Sequence, residues 1–385
     1  MLECVTHPLL GVAAQPRQNS VGGIMESEEG HASDTTSRYL RTISDLAASG
    51  LVSNIELAAL GEVIDKFSLS VSPAMRAAML EASSADPIYR QFIPSIEENK
   101  IAEEELVDPI GDETHSPTPG IVHRYPDRVL LKVTNSCPVY CRFCFRRERV
   151  GRHDETISKQ ELHTALNYIA NNEDVWEVIL TGGDPLLLSP RRLGPIIEHL
   201  TAIPHVKVIR LHSRVPIVTP QSISDELVSI LDCNKAVYLV LHCNHYQEIS
   251  EDTREACRRL SRSGIVMLSQ TVLLRDVNDT AADLTRLFRE LVAIRVKPYY
   301  LHHGDLARGT SHFRTTLEAG RQLMREIRGT ISGLCQPTYV LDIPGGYGKV
   351  PVGPDYLVLD AQHGWRVEDP WGEVHEYDVP GAETG

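Results

Sequence analysis

Arg128-Val-Leu-Leu-Lys-Val-Thr134 runs directly into Asn-Ser-Cys137-Pro-Val-Tyr-Cys141-Arg-Phe-Cys144, a β-branched segment that opens into a loop with three cysteines. Similar strand-like runs recur at 176–181, 206–212, 237–243, 265–274, 297–303 and 337–343. Helical patterns separate them, at 157–171, 190–202, 222–231, 250–263, 281–293 and 316–329. Such alternation predicts parallel βα units in an α/β fold, closed or partly closed into a barrel. Barrels of this kind gather functional groups at the C-terminal ends of their strands. Each chemically interesting residue should therefore follow a strand.

Outward from this core the texture changes. Residues 1–35 are rich in Ser, Gly and Glu without period, which predicts a disordered lead. No Lys or Arg precedes the weakly apolar stretch Pro8–Ala14, so it does not read as a signal peptide, and Met25 is a second candidate start. Residues 36–122 divide into a helical part, with Leu40, Ile43, Leu46 and Ala47 at helical spacing, and an acidic linker from 97 carrying Pro109, Pro117 and Pro119. The barrel is assigned to 123–350 and a C-terminal extension to 351–385.

Composition narrows the class. The chain has 385 residues, of which 42% are hydrophobic and 23% charged, ordinary for a globular enzyme. Its 38 basic and 52 acidic residues give a net charge of −14, which argues against a nucleic-acid partner needing a basic face. No apolar run reaches the roughly 18 residues of a membrane span, so no membrane partner is expected and the cytoplasm is the expected compartment. Eight cysteines in so long a chain do not make a disulfide framework. Three within one short loop read instead as a metal or cluster site. Zinc prefers four protein ligands in paired spacings, and no fourth cysteine lies near. A cubane cluster on three thiolates leaves one iron open.

CxxxCxxC with Phe143 just before its last cysteine resembles the radical S-adenosylmethionine superfamily. The resemblance implies a partial (β/α)6 TIM-like barrel and a [4Fe–4S] cluster on Cys137, Cys141 and Cys144. It also implies that the open iron chelates S-adenosylmethionine, which is cleaved to an adenosyl radical, with Phe143 against the adenine. Thr181-Gly182-Gly183-Asp184 closes the second strand and resembles the superfamily's glycine-rich motif for the methionine amino group. On its own a Gly-Gly pair is equally a turn.

Pro344-Gly345-Gly346-Tyr347-Gly348-Lys349 follows the last strand. A lysine on a glycine-rich loop can swing and, if desolvated, lose its proton, as a Schiff-base lysine must. A phosphate loop would need Ser or Thr after the lysine, and Val350 stands there. Paired with the cluster motif, this segment resembles the lysine 2,3-aminomutase family, over about Pro94 to Leu359. The resemblance implies that Lys349 carries pyridoxal phosphate, that Arg124 and Arg128 meet its phosphate, and that Arg146 pairs with the substrate α-carboxylate. It places His242 and Gln270 near S-adenosylmethionine, although a satisfied core His or Gln fits equally. Asp305 and Asp342, each at a strand end, would receive a distal ammonium, and two adjacent carboxylates indeed resist ionisation without a cation.

The function so implied is migration of the α-amino group of L-lysine to its β-carbon. Alternatives are the same shift on arginine, supply of β-lysine for elongation factor P modification, or a non-catalytic iron–sulfur or zinc protein. The expected partners are a flavodoxin or ferredoxin as electron donor and a second copy of the chain. No Cys follows Cys335, so the interface zinc of the clostridial type is not expected, and His302-His303-Gly304 departs from that type.

Overall fold

The computed structural model describes residues 38–151, 157–360 and 364–377; the expected lead, 1–35, lies outside them. Four short helices open the described chain: α1 Ile43–Ser49, α2 Asn54–Lys66, α3 Pro73–Ala78 and α4 Pro87–Phe92. Their starts are written locally. Thr42 with Asp45 and Ser53 with Glu56 form reciprocal capping boxes, while α3 and α4 begin with Pro behind the caps Ser72 and Asp86. Leu46, Leu60, Met75, Ile88 and Phe92 are buried in the same core as the barrel's own apolar residues, so the helical region is packed onto the barrel.

The main sheet has nine strands in chain order: β1 Ile121–Tyr125, β2 Arg128–Thr134, β3 Glu177–Gly182, β4 Val208–Ser213, β5 Ala236–His242, β6 Val266–Val272, β7 Lys297–His302, β8 Thr338–Ile343 and β9 Gly348–Pro351. Strands β2 to β8 pair in parallel, and β1 and β9 add antiparallel edges. Helices α5 Lys159–Ala170, α6 Pro190–Ala202, α7 Val215–Val218, α8 Asp225–Leu231, α9 Glu251–Arg262, α10 Ala281–Ala293 and α11 Leu317–Ile327 lie between the parallel strands. This is a (β/α)6 barrel followed by a seventh parallel strand. Ser158, Ser224, Ser250, Thr280 and Thr316 cap five of the helices through their hydroxyl oxygens. Leu284, Leu287, Phe288 and Leu291, spaced for one helix face, are the buried side of α10.

The sheet does not close by a backbone ladder. Its edges meet where the Lys349 N–H of β9 donates to the Tyr125 hydroxyl of β1 at 2.8 Å. The sequence pattern missed both edge strands, which are short and carry no apolar alternation. It also placed Lys349 on a free loop, whereas Lys349 stands on β9 in register opposite Asp342 of β8. Gly345 and Gly346, at φ 88° and 91°, make the turn between them. The tail adds a small antiparallel sheet, β10 Leu357–Asp360, β11 Gly364–Glu368 and β12 Val374–Tyr377, tied to α11 by Arg325–Glu368 at 2.6 Å and Arg321–Asp355 at 3.0 Å. Among the described residues no helix is long and apolar enough to cross a membrane.

Two glycines fix the path of the cysteine loop. At Gly183 an added Cβ would sit 2.2 Å from the Ser136 carbonyl oxygen, and at Gly182, φ 114°, 2.4 Å from that of Thr134. Gly61, inside α2, has nothing within 4 Å of the same position. Gly183→Ala should therefore lose about 3 kcal/mol in urea denaturation, from forced backbone overlap. Gly61→Ala should gain about 0.5–1 kcal/mol from helix propensity. Equal effects at the two sites would contradict this account.

Candidate active site

Every candidate site residue named from the sequence lines one cavity of about 900 Å³, which runs through the barrel from the C-terminal strand ends, where the cysteine loop, Asp305 and Asp342 sit, to Arg128 and Glu177 at the opposite ends of β2 and β3. The cysteine loop enters it directly from β2, and the N-terminal helical region shapes the loop. The Tyr140 N–H donates to the Ser70 carbonyl at 2.8 Å, and the Arg142 N–H to that of Gln91 at 2.9 Å. The Arg142 guanidinium donates to Glu98 at 2.6 and 2.9 Å and to the Ser68 carbonyl at 2.7 Å. Arg147 reaches the same Glu98 carboxylate and the Gly309 carbonyl. Burial pushes the Glu98 carboxyl upward, but the two guanidiniums outweigh it and hold it below the ordinary range.

The three thiols need a cation. Burial pushes all of them up, Cys144 to about 11, and neighbouring thiolates add to the shifts of Cys137 and Cys144. Cys141 has the Arg214 guanidinium 2.9 Å from its sulfur, whereas Arg146 acts on Cys137 and Cys144, and Arg147 on Cys144, only through their charges. A single zinc would hold thiolate sulfurs about 3.8 Å apart, given Zn–S bonds near 2.3 Å. Among the described residues, the three-ligand group with all donor atoms within 4.8 Å of one another is Asp369, Glu373 and His375 on the exposed tail, not the cysteines. Three thiols that face one cavity and are not all within 4.8 Å of one another fit a multi-iron cluster better than a single ion.

Beside the thiols, Phe143 packs with Leu274, Val277 and Phe313, and its ring lies 5.7 Å from that of His242. His242 and Gln270 are register partners at the ends of β5 and β6. His242 Nε2 is buried without a partner, an open position on the cavity wall. The glycine motif, which lines the cavity, also has a local structural task. The Gly183 N–H donates to the Thr134 carbonyl at 2.5 Å and the Asp184 N–H to that of Ser136 at 2.9 Å. The buried Asp184 carboxylate accepts from the Ser213 hydroxyl and from the N–H groups of Leu186, Arg214 and Val215. These contacts brace the cysteine loop against β3 and β4, with the glycines still forming cavity wall.

Farther along the cavity the charges are paired within the protein. Arg146 donates to Asp112 at 2.8 Å and to the Thr181 hydroxyl at 3.3 Å. Arg124 donates to the Ile110 carbonyl and lies 3.8 Å from the other Asp112 oxygen, which accepts no hydrogen bond. Arg128 pairs with Asp127 at 2.7 Å and stacks 3.8 Å over Tyr125. Lys349 donates to Asp342, so Asp305 and Asp342 are not a free pair. His302 Nδ1 lies 3.2 Å from the Lys349 ammonium and 3.4 Å from Asp342. Burial opposes ionisation of Asp342, yet His302 and Lys349 hold it well below the usual carboxylate range. Asp305 goes the other way: burial and then repulsion from Asp342 push it to about 7.

Sequence reading passed over Asp112, Arg210, His212 and Arg214. Arg214 sits among Cys141, Gln91 and Glu248, and Arg210 pairs with Glu177 at 3.0 Å. Arg124 Nε, Arg210 Nε, His212 Nε2 and His302 Nε2 are buried and unpartnered. Only strand position could have found Arg210, His212 and Arg214; nothing local marks Asp112.

A three-cysteine loop after the first parallel strand of such a barrel defines a radical S-adenosylmethionine enzyme, and the family model described as the radical SAM superfamily matches residues 131–288. A second, described as lysine-2,3-aminomutase, matches residues 324–378. The L-lysine 2,3-aminomutase of Fusobacterium nucleatum is 38% identical over 89% of this chain and 80% of that one. That of Methanococcus maripaludis is 42% identical over 77% of this chain and 69% of its own. A glutamate 2,3-aminomutase of Clostridioides difficile is 39% identical over 77% of this chain and 70% of its own. The chain belongs to the lysine 2,3-aminomutase family and is a radical S-adenosylmethionine aminomutase, with a [4Fe–4S] cluster and S-adenosylmethionine as cofactors. Cys141→Ala should abolish stoichiometric iron and sulfide binding after anaerobic reconstitution, since no spare cysteine lines the cavity. A full cluster complement in that variant would contradict the assignment.

Proposed function

We propose that this enzyme moves the α-amino group of L-lysine to the β-carbon, giving β-lysine, with pyridoxal phosphate held on Lys349. The observation that supports it best is the ammonium of Lys349 itself, held by Asp342 in a cavity that Asp305 also lines. A lysine side chain already occupies the place where a substrate lysine would present its far end. The unpartnered donors of Arg124, Arg210, His212 and His302 suit a ligand rich in acceptor oxygens, such as a phosphorylated pyridine. When bound, the cluster and S-adenosylmethionine supply hydrogen abstraction, and pyridoxal phosphate supplies a conjugated ring that spreads an unpaired electron. The protein positions and pairs. Cys137, Cys141 and Cys144 hold the cluster, and Arg146 exchanges Asp112 for the substrate carboxylate. Lys349, on leaving Asp342 for the cofactor, frees that carboxylate for the distal ammonium. A small flavodoxin or ferredoxin would deliver the electron.

A glutamate substrate would bring a second carboxylate toward Asp305 and Asp342, where like charges repel. An anaerobic assay of the reconstituted enzyme against lysine, arginine and glutamate tests the choice; turnover of glutamate in preference to lysine would overturn it. Asp342→Asn should cost lysine about 30-fold or more in kcat/KM, the loss expected when one partner of a desolvated charge pair is removed. An equal loss for norleucine, which has no terminal charge, would point to a structural role instead.

The raised Asp305 carboxyl sets the pH dependence of binding. Near pH 7 it is about half protonated and below that mostly so, and an incoming ammonium favours its charged form. Binding should therefore release a proton, and lysine affinity should rise with pH through about 7 and then level off. Calorimetry in two buffers of different ionisation enthalpy, with S-adenosylmethionine omitted, measures this. Asp305→Asn should remove the proton release.

A further inference from the structure

An ammonium has no lone pair, so Lys349 must lose a proton before it can take up an aldehyde. Its closest partner cannot accept that proton: Asp342 is held well below the ordinary carboxylate range. The other group within hydrogen-bond distance is His302, whose Nδ1 lies 3.2 Å from the Lys349 nitrogen. That same ring nitrogen lies 3.4 Å from the Asp342 oxygen that holds the ammonium. A neutral ring accepting at Nδ1 carries its own proton on Nε2, and Nε2 is buried with no partner. The site thus has a base aimed at the lysine and an unused donor aimed at whatever binds.

We propose that His302 is the proton acceptor that converts Lys349 from ammonium to amine for cofactor capture, with Asp342 as the fixed counterion. The inference rests on the reading of Lys349 as the cofactor lysine. One N–H bond of Lys349 breaks, one Nδ1–H bond of His302 forms, and no electron changes hands. Before the transfer Asp342 faces a lysine cation; afterwards it faces an imidazolium. One anion and one cation remain in contact throughout, so the transfer moves charge by one hydrogen-bond length without exposing an unpaired ion to the buried cavity. The amine so formed can condense with an aldehyde, the ring returning its proton to the departing hydroxyl as water, which leaves His302 neutral and Asp342 free of a cation.

The ionisable groups around His302 are Asp342 on β8, Lys349 on β9, His212 on β4, His242 on β5 and Tyr300 on its own strand, with Asp305 beyond the end of β7. Burial and the Lys349 charge keep His302 below the ordinary imidazole range, so it is neutral and able to accept at neutral pH. Asp305 titrates near 7 and is the one neighbour whose ionisation could imitate the effect.

The test follows capture of pyridoxal phosphate by the cofactor-free, cluster-loaded full chain, stopped with borohydride and read by peptide mass at Lys349. Between about pH 7 and 9 the wild-type rate should rise less steeply with pH than that of His302→Gln, because a neutral base is at hand throughout. His302→Gln should be slower by about 100-fold at neutral pH, with the deficit narrowing as pH rises and hydroxide removes the proton instead. In His302→Ala, added imidazole should restore part of the rate. An unchanged rate and profile in His302→Gln overturns the proposal, as does a uniform loss at every pH without imidazole rescue, which marks a structural role. Should His302→Gln not fold, the absence of imidazole rescue in His302→Ala overturns it. Label on a lysine other than Lys349 in the wild type instead refutes the reading of the cofactor site.

Discussion

The carboxylate of Glu98 lies between the guanidiniums of Arg142 and Arg147, and all three side chains are fully buried. Charges in such a place are tolerable only when paired, and removing one partner strands the others at a cost of about 3–5 kcal/mol. Arg142 and Arg147 flank Cys144, while Glu98 comes from the turn of 3₁₀ helix after the fourth helix, some forty residues earlier. The pair therefore binds the N-terminal region and the cysteine loop into one piece. The three thiols face the cavity because of this clamp, before any iron arrives. A neighbouring network, Arg214 with Glu248, Gln91 and the Cys141 sulfur, extends the same bracing toward β4 and β5.

Beyond the clamp, the cavity is a set of charges that the protein pairs with itself. Asp112 serves as the carboxylate for Arg146, and Lys349 serves as the ammonium for Asp342. Each is the kind of group that an amino acid with a cationic side chain would bring. Binding such a molecule exchanges partners instead of stripping water from bare ions, which keeps the desolvation cost of two buried charges out of the binding step. On the proposed function, exchange at Asp342 would couple the state of Lys349 to the vacancy that a distal ammonium needs. His302 touches both members of the Lys349–Asp342 pair.

Much of the barrel was legible from local pattern. Strand β2 runs over the residues its β-branched pattern marked, and helices α6 and α10 begin and end where their periodicity did. Strands β1 and β9 were not legible, because four or five residues, with only Ile121 and Val122 of β1 buried and adjacent, show no alternation. That omission had a consequence: without β9, Lys349 looked like a swinging loop residue, when its register opposite Asp342 ties it to the carboxylate seven positions earlier. The cysteine spacing and the two strand-end aspartates could be read as chemistry. Asp112, buried in a segment of acidic linker, could not, since nothing in its neighbours distinguishes it from a solvated carboxylate.

The sequence by itself determined what depends on near neighbours: helix caps, strand order, the thiol spacing, and the placement of reactive side chains after strands. Only the tertiary structure decided which charges face each other. Glu98 meets Arg142, Asp112 meets Arg146, and His302 meets Lys349, across separations of 34 to 47 positions that no local pattern spans. The reason is physical. Hydrogen bonding and side-chain periodicity act within a few residues, whereas burial makes an ion seek the nearest opposite charge in space, and that neighbour exists only once the barrel and the region before it have packed.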